Sequence, residues 1–244
     1  MPIRIQTVLS DAWALFRQGR DWMLAVAGLF LFLPTLALAL FVPRWPVAPA
    51  GEGVGRDERM LAWAASVTDW VAANGVWYVL AYAVTTFGTA TIYAGLLNRE
   101  AGDVREALRR AGMLLPRYLL ATILVAIPTG AGLFLWLLPG LYIMGRTMLT
   151  GPALIAEQPL GAGTAVARSF SLSSGAGLPL MALASLVLLG GFVLAQPFAG
   201  TGSGPADGGL VGALLAVGLA AVSAATSLAQ ALVAASAYRR LVVR

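Results

Sequence analysis

The chain has 244 residues, of which 59% are hydrophobic and only 11% are charged, and its formal net charge is +5. Soluble domains carry about 25% charged residues, so a soluble fold of this size could not cover its surface, and the composition predicts a membrane protein. Cysteine, histidine and lysine are absent, which excludes disulfides, thiolate nucleophiles, Schiff-base chemistry and a histidine base.

Residues 1–20 are predicted to form an amphipathic helix that lies in the membrane interface. Apolar side chains of segment 4–18 share one helical face, and polar side chains share the other. The apolar face contains Ile5, Val8, Leu9, Ala12, Trp13 and Phe16, and the polar face contains Arg4, Gln6, Ser10, Asp11 and Arg17. A soluble cap packed on the bundle would show the same pattern, and both interpretations stay open.

Residues 21–244 are predicted to form a single all-α transmembrane domain, a bundle of about six helices, since one crossing needs about 20 apolar residues. The predicted spans cover about 22–42, 76–97, 118–138, 141–156, 178–196 and 210–237. The apolar core of the first is longer than that of a cleaved signal sequence, so we expect it to remain. Pro139-Gly140 predicts a tight outer turn between spans three and four. Span four is short, and a re-entrant segment is the alternative.

The arginines predict the orientation of these spans. With six spans, twelve arginines fall in segments on the side of the termini, and only Arg44, Arg56 and Arg59 fall on the other side. Because cytoplasmic loops carry the excess of basic residues, both termini are predicted to be cytoplasmic.

Trp63 and Trp70 belong to a stripe with Met60, Val67 and Trp77 at helical spacing. One interpretation is a docking surface for lipid or for a partner protein. The other, which we favour, is the aromatic belt that many membrane proteins place at headgroup level.

Gly208, Gly212, Ala216 and Ala220 recur every four residues at the start of the last span. Small residues let transmembrane helices approach closely. This ladder is therefore predicted to be a helix-packing face.

Arg146 lies inside the apolar fourth span, where a charge costs about 2.5 to 3.5 kcal/mol on insertion scales. Glu157 is eleven residues later, too far to pair with Arg146 along one straight helix. Another helix, a lipid headgroup or the interface must therefore supply the partner of Arg146. Its position near the outer end also allows the side chain to snorkel.

Residues 139–175 form a pattern that begins with Pro139-Gly140, reaches an acidic residue, and continues through a glycine turn into a short helix. The remaining residues of the pattern are Glu157, Gly161, Ala165, Arg168, Ser169, Leu172 and Gly175. This pattern resembles a motif in the membrane domain attached to some glycerophosphodiester phosphodiesterases and in YciC-like inner-membrane proteins. The C-terminal Tyr238-Arg239-Arg240-Leu241 is similar to the end of these families as well. Residues 1–75 have no counterpart in the resemblance.

The resemblance implies a polytopic α-helical protein of the bacterial inner membrane, in families mostly without an established activity. Their fused phosphodiesterase activity resides in a soluble barrel domain that is absent here. Arg168 could hold a lipid phosphate through two hydrogen bonds or bond the carbonyls that end span four, and Ser169 could cap or bridge. A purely structural elbow is an equal alternative.

These observations favour a non-enzymatic membrane protein, an envelope-homeostasis or accessory factor that binds membrane lipid or a membrane-protein partner, with a homo-oligomer also open. The alternative is a transporter or lipid-translocating protein that uses Arg146 and the helices interrupted by Pro34, Pro128 and Pro139. No carboxylate pair has metal-binding spacing, so we expect no metal site and no cofactor. The arginines flank apolar spans, which argues against nucleic acid.

Overall fold

The computed structural model describes residues 4–43, 45–47, 55–97, 104–135, 137–198 and 205–242. Within these ranges the regular structure is entirely helical. Nine α-helices occur in the described ranges: α1 Ile5–Ala27, α2 Leu33–Phe41, α3 Arg56–Leu97, α4 Val104–Leu135, α5 Leu137–Thr147, α6 Thr150–Ala156, α7 Ala162–Leu172, α8 Gly177–Ala195 and α9 Pro205–Val242. A π-helical turn, Gly28–Phe32, joins α1 to α2, and a 3₁₀ turn, Gln196–Phe198, follows α8.

Five stretches of the described residues are long and apolar enough to cross a membrane: Ile5–Phe41, Asp57–Leu97, Val104–Phe134, Gly177–Phe198 and Gly209–Val242. The described residues therefore confirm an all-helical chain with helices that could cross a membrane, as the sequence predicted. The predicted fourth span, 141–156, is not among the five, because it is divided between α5 and the seven-residue α6. The count of six spans stays a prediction.

The N-terminal helix bends where the sequence places the end of the amphipathic segment. Gly19 has non-helical backbone angles, φ −130° and ψ 25°. Before the bend, Val8 and Ala12 are buried in the core, and the hydroxyl of Ser236 in α9 donates to the Val8 carbonyl at 3.0 Å. This part of α1 thus packs on the bundle, as a cap would. Its place in the membrane interface stays a prediction.

After the bend, the first long stretch packs closely on α3. A Cβ atom added to Gly88 would lie 2.4 Å from the Cβ of Phe30, and one added to Gly95 would lie 2.8 Å from the ring of Trp22. Only glycine permits this approach at both positions. The small residues of α3 therefore serve helix packing, as expected for small residues in transmembrane helices.

Helices α4 and α5 form a hairpin. A Cβ atom added to Gly140 would lie 2.5 Å from the backbone nitrogen of Leu133, so the two backbones touch. Because α5 begins at Leu137, Pro139 and Gly140 lie in the first turn of α5 and not in the connection itself. The tight turn predicted at Pro139-Gly140 is therefore wrong, because these two residues are helical and pack closely on α4 instead.

The predicted small-residue ladder coincides only in part with a buried face of α9. Ala216 is 8% exposed and Ala220 is fully buried, while Gly212 is partly buried. Gly209 adopts a positive φ of +50° and breaks the helix. Gly208 lies before this break, so it does not share a helix face with Gly212, Ala216 and Ala220. The closest α8–α9 approach uses other residues, since a Cβ on Gly191 would lie 2.3 Å from the hydroxyl of Thr226.

Candidate functional site

The candidate site is the elbow, defined as residues 157–172, where the chain turns after α6. Glu157 ends α6, and Gly161 is extended (φ −80°, ψ 164°) immediately before α7. α7 then folds back and packs against α4 and α6. This reversal brings residues of α7 next to both ends of the segment 146–157.

Glu157 is the acceptor at the centre of the elbow. The Nε of Arg168 donates to both of its carboxylate oxygens, at 3.1 and 2.8 Å, and the hydroxyl of Tyr238 donates to Oε1 at 2.9 Å. Tyr238 is only 4% exposed, so its hydroxyl is satisfied by a partner inside the protein. The elbow is therefore tied to the C-terminal end of α9 by a hydrogen bond to an ionisable carboxylate, the strong class of hydrogen bond.

Ser169 fastens the other side of α7. Its hydroxyl is fully buried and donates to the backbone carbonyl of Arg146 at 2.7 Å. Ser173 makes a longer contact with the same carbonyl, at 3.4 Å. Arg168 and Ser169, which are adjacent in sequence, thus hold the two ends of the segment 146–157.

The guanidinium of Arg146 is bound by α7 and by its own helix. Nη2 donates to the carbonyl of Phe170 at 2.8 Å, and Nη1 donates to the hydroxyl of Tyr142 at 3.3 Å. The guanidinium carbon lies 5.2 Å from the Phe170 ring centre and 5.9 Å from that of Tyr142, within the range of cation–π attraction. Another helix therefore supplies the partner of Arg146. Its Nε is buried and has no hydrogen-bond partner among the described residues.

The C-terminal clasp, defined as Tyr238, Arg239 and Arg240, joins the elbow to two further helices. Arg239 donates to the carbonyl of Leu96 at the end of α3. The Nε of Arg240 lies 2.5 Å from Oδ2 of Asp11 in α1. The clasp is absent from the predicted site residues, although the sequence offered one signal, a tyrosine followed by two arginines at the end of an apolar span.

These contacts bring the described ends of the chain together. The start of α1, the end of α3, Glu157 and the end of α9 all meet at one end of the bundle. We call this the arginine-rich end; its segments are 4–21, 104–117, 157–168 and 236–242. They carry ten arginines against four carboxylates, a net charge of +6.

Trp63 and Trp70 lie away from the elbow and have a different role. Their indole N–H groups donate to the carbonyls of Pro46 and Pro43, both at 3.0 Å. Trp45 packs edge-on against Trp70, with ring centres 4.9 Å apart. The two tryptophans fasten Pro43 and Pro46 to α3, so their N–H groups are not available to an outside partner.

The elbow is suited to binding and not to nucleophilic chemistry. Ser169 is inaccessible and donates to a carbonyl, so its oxygen is not activated by a base. In the described ranges, no group of three or more acidic side chains could hold a metal ion. Arg168 keeps 41% of its side chain exposed, and its hydrogen bonds to other described residues start only from Nε. Its terminal amino groups are therefore placed to bind an anion.

No family model, curated protein or solved structure matches the chain. The resemblance to YciC-like and phosphodiesterase-linked membrane domains stays a prediction. The residues that carry it, Glu157, Arg168 and Ser169, are the ones that make the contacts of the elbow.

Proposed function

We propose that this chain is a non-enzymatic membrane protein, an envelope-homeostasis or accessory factor, that binds anionic lipid headgroups at its arginine-rich end. The observation that carries the proposal is the partly exposed Arg168, held by Glu157 through Nε alone within an end of net charge +6. A basic residue near an anionic membrane surface contributes about 1 kcal/mol of attraction. A phosphate can also accept two parallel hydrogen bonds from one guanidinium.

The proposal includes six crossings of a bacterial inner membrane with both termini cytoplasmic. The described ends of α1 and α9 meet at the same end of the bundle, and this supports an even number of crossings. α5 and α6 run from the α4 hairpin back to Glu157 and together cover 137–156. The proposal assigns the sixth crossing to this broken helical segment, whose middle packs on α8 because a Cβ atom on Gly145 would lie 2.5 Å from Met181.

Engineered cysteines test the topology, because the chain has none of its own. Gly163 in α7 and Gln196 after α8 are exposed, and a Cβ at Gly163 meets open space. In spheroplasts, a membrane-impermeant maleimide should label Gln196→Cys and spare Gly163→Cys until the cells are permeabilised. Equal labelling of both would contradict the six-span arrangement.

Native mass spectrometry of the protein from mild detergent tests the function. Given equal amounts of phosphatidylglycerol and phosphatidylethanolamine, the protein should retain more of the anionic lipid. Equal retention of both, or a stoichiometric protein partner without lipid, would contradict lipid binding. Substrate turnover by the purified chain would overturn the non-enzymatic assignment.

Transport is the second candidate, and a cavity inside the bundle favours it. The cavity measures about 160 Å³ between α3, α5, α8 and α9, and Tyr93, Thr147 and Gln230 are among its lining residues. Arg146 is not in that lining. If the transported solute passes through this cavity, a flux assay should give equal rates for the native protein and for Arg146→Ala. Loss of flux in the variant would instead place Arg146 on the transport path.

A further inference from the structure

An apolar groove runs along the side of the bundle between α1 and α9. Its volume is about 520 Å³, and α8 contributes only Val187 to its lining. The floor is formed by small side chains, because Ala221, Ala225 and Ala229 follow one another at four-residue spacing on α9 and Gly28 faces them from the π-helical turn. The rim carries Trp13, which is 59% exposed.

The length of the groove limits what it can hold. Its lining on α9 extends from Ala221 to Val233, which corresponds to about 18 Å of helix. One leaflet contributes about half of the 30 Å hydrocarbon core. The groove therefore matches one acyl chain of one leaflet, whereas a transmembrane helix of a second protein would need a face almost twice as long.

An exposed cation lies beside the rim of the groove, although it is not part of the lining. Arg17 comes one helical turn after Trp13, where the polar face of α1 borders the apolar face, and its side chain is exposed. It has no hydrogen bond or ion pair with the other residues that the structure describes. The neighbouring Arg20 is paired with Asp21 at 3.2 Å, so Arg17 is the cation of this turn that is open to a phosphate.

We propose that the α1–α9 groove binds one acyl chain of an anionic phospholipid from the leaflet on the arginine-rich side, with its phosphate at Arg17. The proposal rests on the proposed function only in taking an anionic phospholipid as the ligand. The binding site is a different one from the elbow. Trp13 lies where such a lipid passes from headgroup to hydrocarbon, the depth that tryptophan favours.

A second groove provides a matched control. It measures about 650 Å³ between α2 and α3 and is lined by apolar residues such as Phe41, Trp77 and Ala81. The segments 33–42 and 77–84 contain no charged residue. This groove offers an acyl chain comparable space without a cation for the headgroup.

The test is native mass spectrometry of the full chain with phosphatidylglycerol and phosphatidylethanolamine in equal amounts. Ala225→Leu and Gly28→Leu fill the α1–α9 groove from opposite walls, and a Cβ at Gly28 meets no atom within 4 Å. Each variant should retain one lipid fewer than the native protein, and Ala81→Leu in the control groove should retain the native number. Arg17→Gln should weaken binding of phosphatidylglycerol roughly fivefold, as expected for the loss of one basic residue. Binding of phosphatidylethanolamine should stay at the native level.

Native lipid retention in both groove-filling variants, with native helix content, would overturn the proposal. So would a native dimer that these variants split, because the occupant would then be a second copy. An unchanged phosphatidylglycerol preference in Arg17→Gln would remove the headgroup contact. These outcomes differ from failure of the proposed function, in which the native protein itself would show no preference for the anionic lipid.

Discussion

The two ends of the bundle are held together by different chemistry. At the arginine-rich end, Glu157 accepts hydrogen bonds from Arg168 and Tyr238, and Asp11 pairs with Arg240. At the other end, the described contacts of Trp63 and Trp70 join neutral groups, indole N–H and proline carbonyl. Among the described residues, the ion pairs therefore lie at the arginine-rich end.

This difference suggests that the tryptophan end only stabilises the fold, whereas the arginine-rich end can also bind a ligand. The tryptophan contacts hold Pro43 and Pro46 on α3, and both indole N–H groups are satisfied. The arginine-rich end ties several helices together and still leaves a net charge of +6. An anionic ligand should therefore depend on the arginine-rich end and be insensitive to the tryptophan end.

Removing Glu157 should have the largest effect on stability. Glu157→Ala deletes the acceptor of Arg168 and leaves the hydroxyl of the buried Tyr238 without its partner. The expected loss is about 2 kcal/mol, seen as a lower midpoint in thermal unfolding in detergent. Glu58→Ala at the other end is the matched control, because Glu58 is exposed at the start of α3. An equal loss in the control would break the comparison of the two ends.

Removing one indole N–H at the other end should cost less. Trp70→Phe keeps an aromatic ring beside Trp45 but deletes the hydrogen bond to the Pro43 carbonyl. The expected loss is about 1 kcal/mol, again measured by thermal unfolding. Lipid retention should stay at the native level, and a drop in phosphatidylglycerol retention would show that the tryptophan end takes part in binding.

The smallest effect is expected at the surface pair of the clasp. Arg240 and Asp11 are 41% and 43% exposed, so solvent screens their attraction. Arg240→Gln should lower stability by no more than about 1 kcal/mol at low salt. In about 0.5 M salt, the stabilities of Arg240→Gln and the native protein should become equal, because exposed ion pairs are screened at that ionic strength. A difference that persisted would mean that the contact is buried in the membrane-embedded protein.

Local sequence patterns predicted much of the fold. Long apolar runs predicted helices because the crossing length is a property of one segment. Each of the five long stretches overlaps a predicted span, although the first three begin well before it. The short fourth span was recognisable as unusual for the same reason. The break at Gly209 falls at the predicted start of the sixth span, but the predicted ladder extended across it to Gly208. A glycine in a small-residue ladder fits a packing face as well as a kink.

Contacts between distant segments could not be predicted in the same way. The spacing of Arg146 and Glu157 correctly argued against a direct pair, but the partners come from α7 folding back, which no local pattern encodes. Trp63 and Trp70 formed a stripe that suggested an outer surface, yet the carbonyls of Pro46 and Pro43 accept hydrogen bonds from their N–H groups. The C-terminal clasp depends on four chain segments, and only the structure brings them together.

The central claim, that the cations of the elbow bind anionic lipid, is tested most directly by two opposite substitutions. Native mass spectrometry should show increased phosphatidylglycerol retention for Glu157→Gln, because Arg168 loses its competing carboxylate, and decreased retention for Arg168→Gln. A purely structural elbow would be weakened by both changes without a shift in lipid preference. Retention that changes in the same direction in both variants, or in neither, would contradict the account.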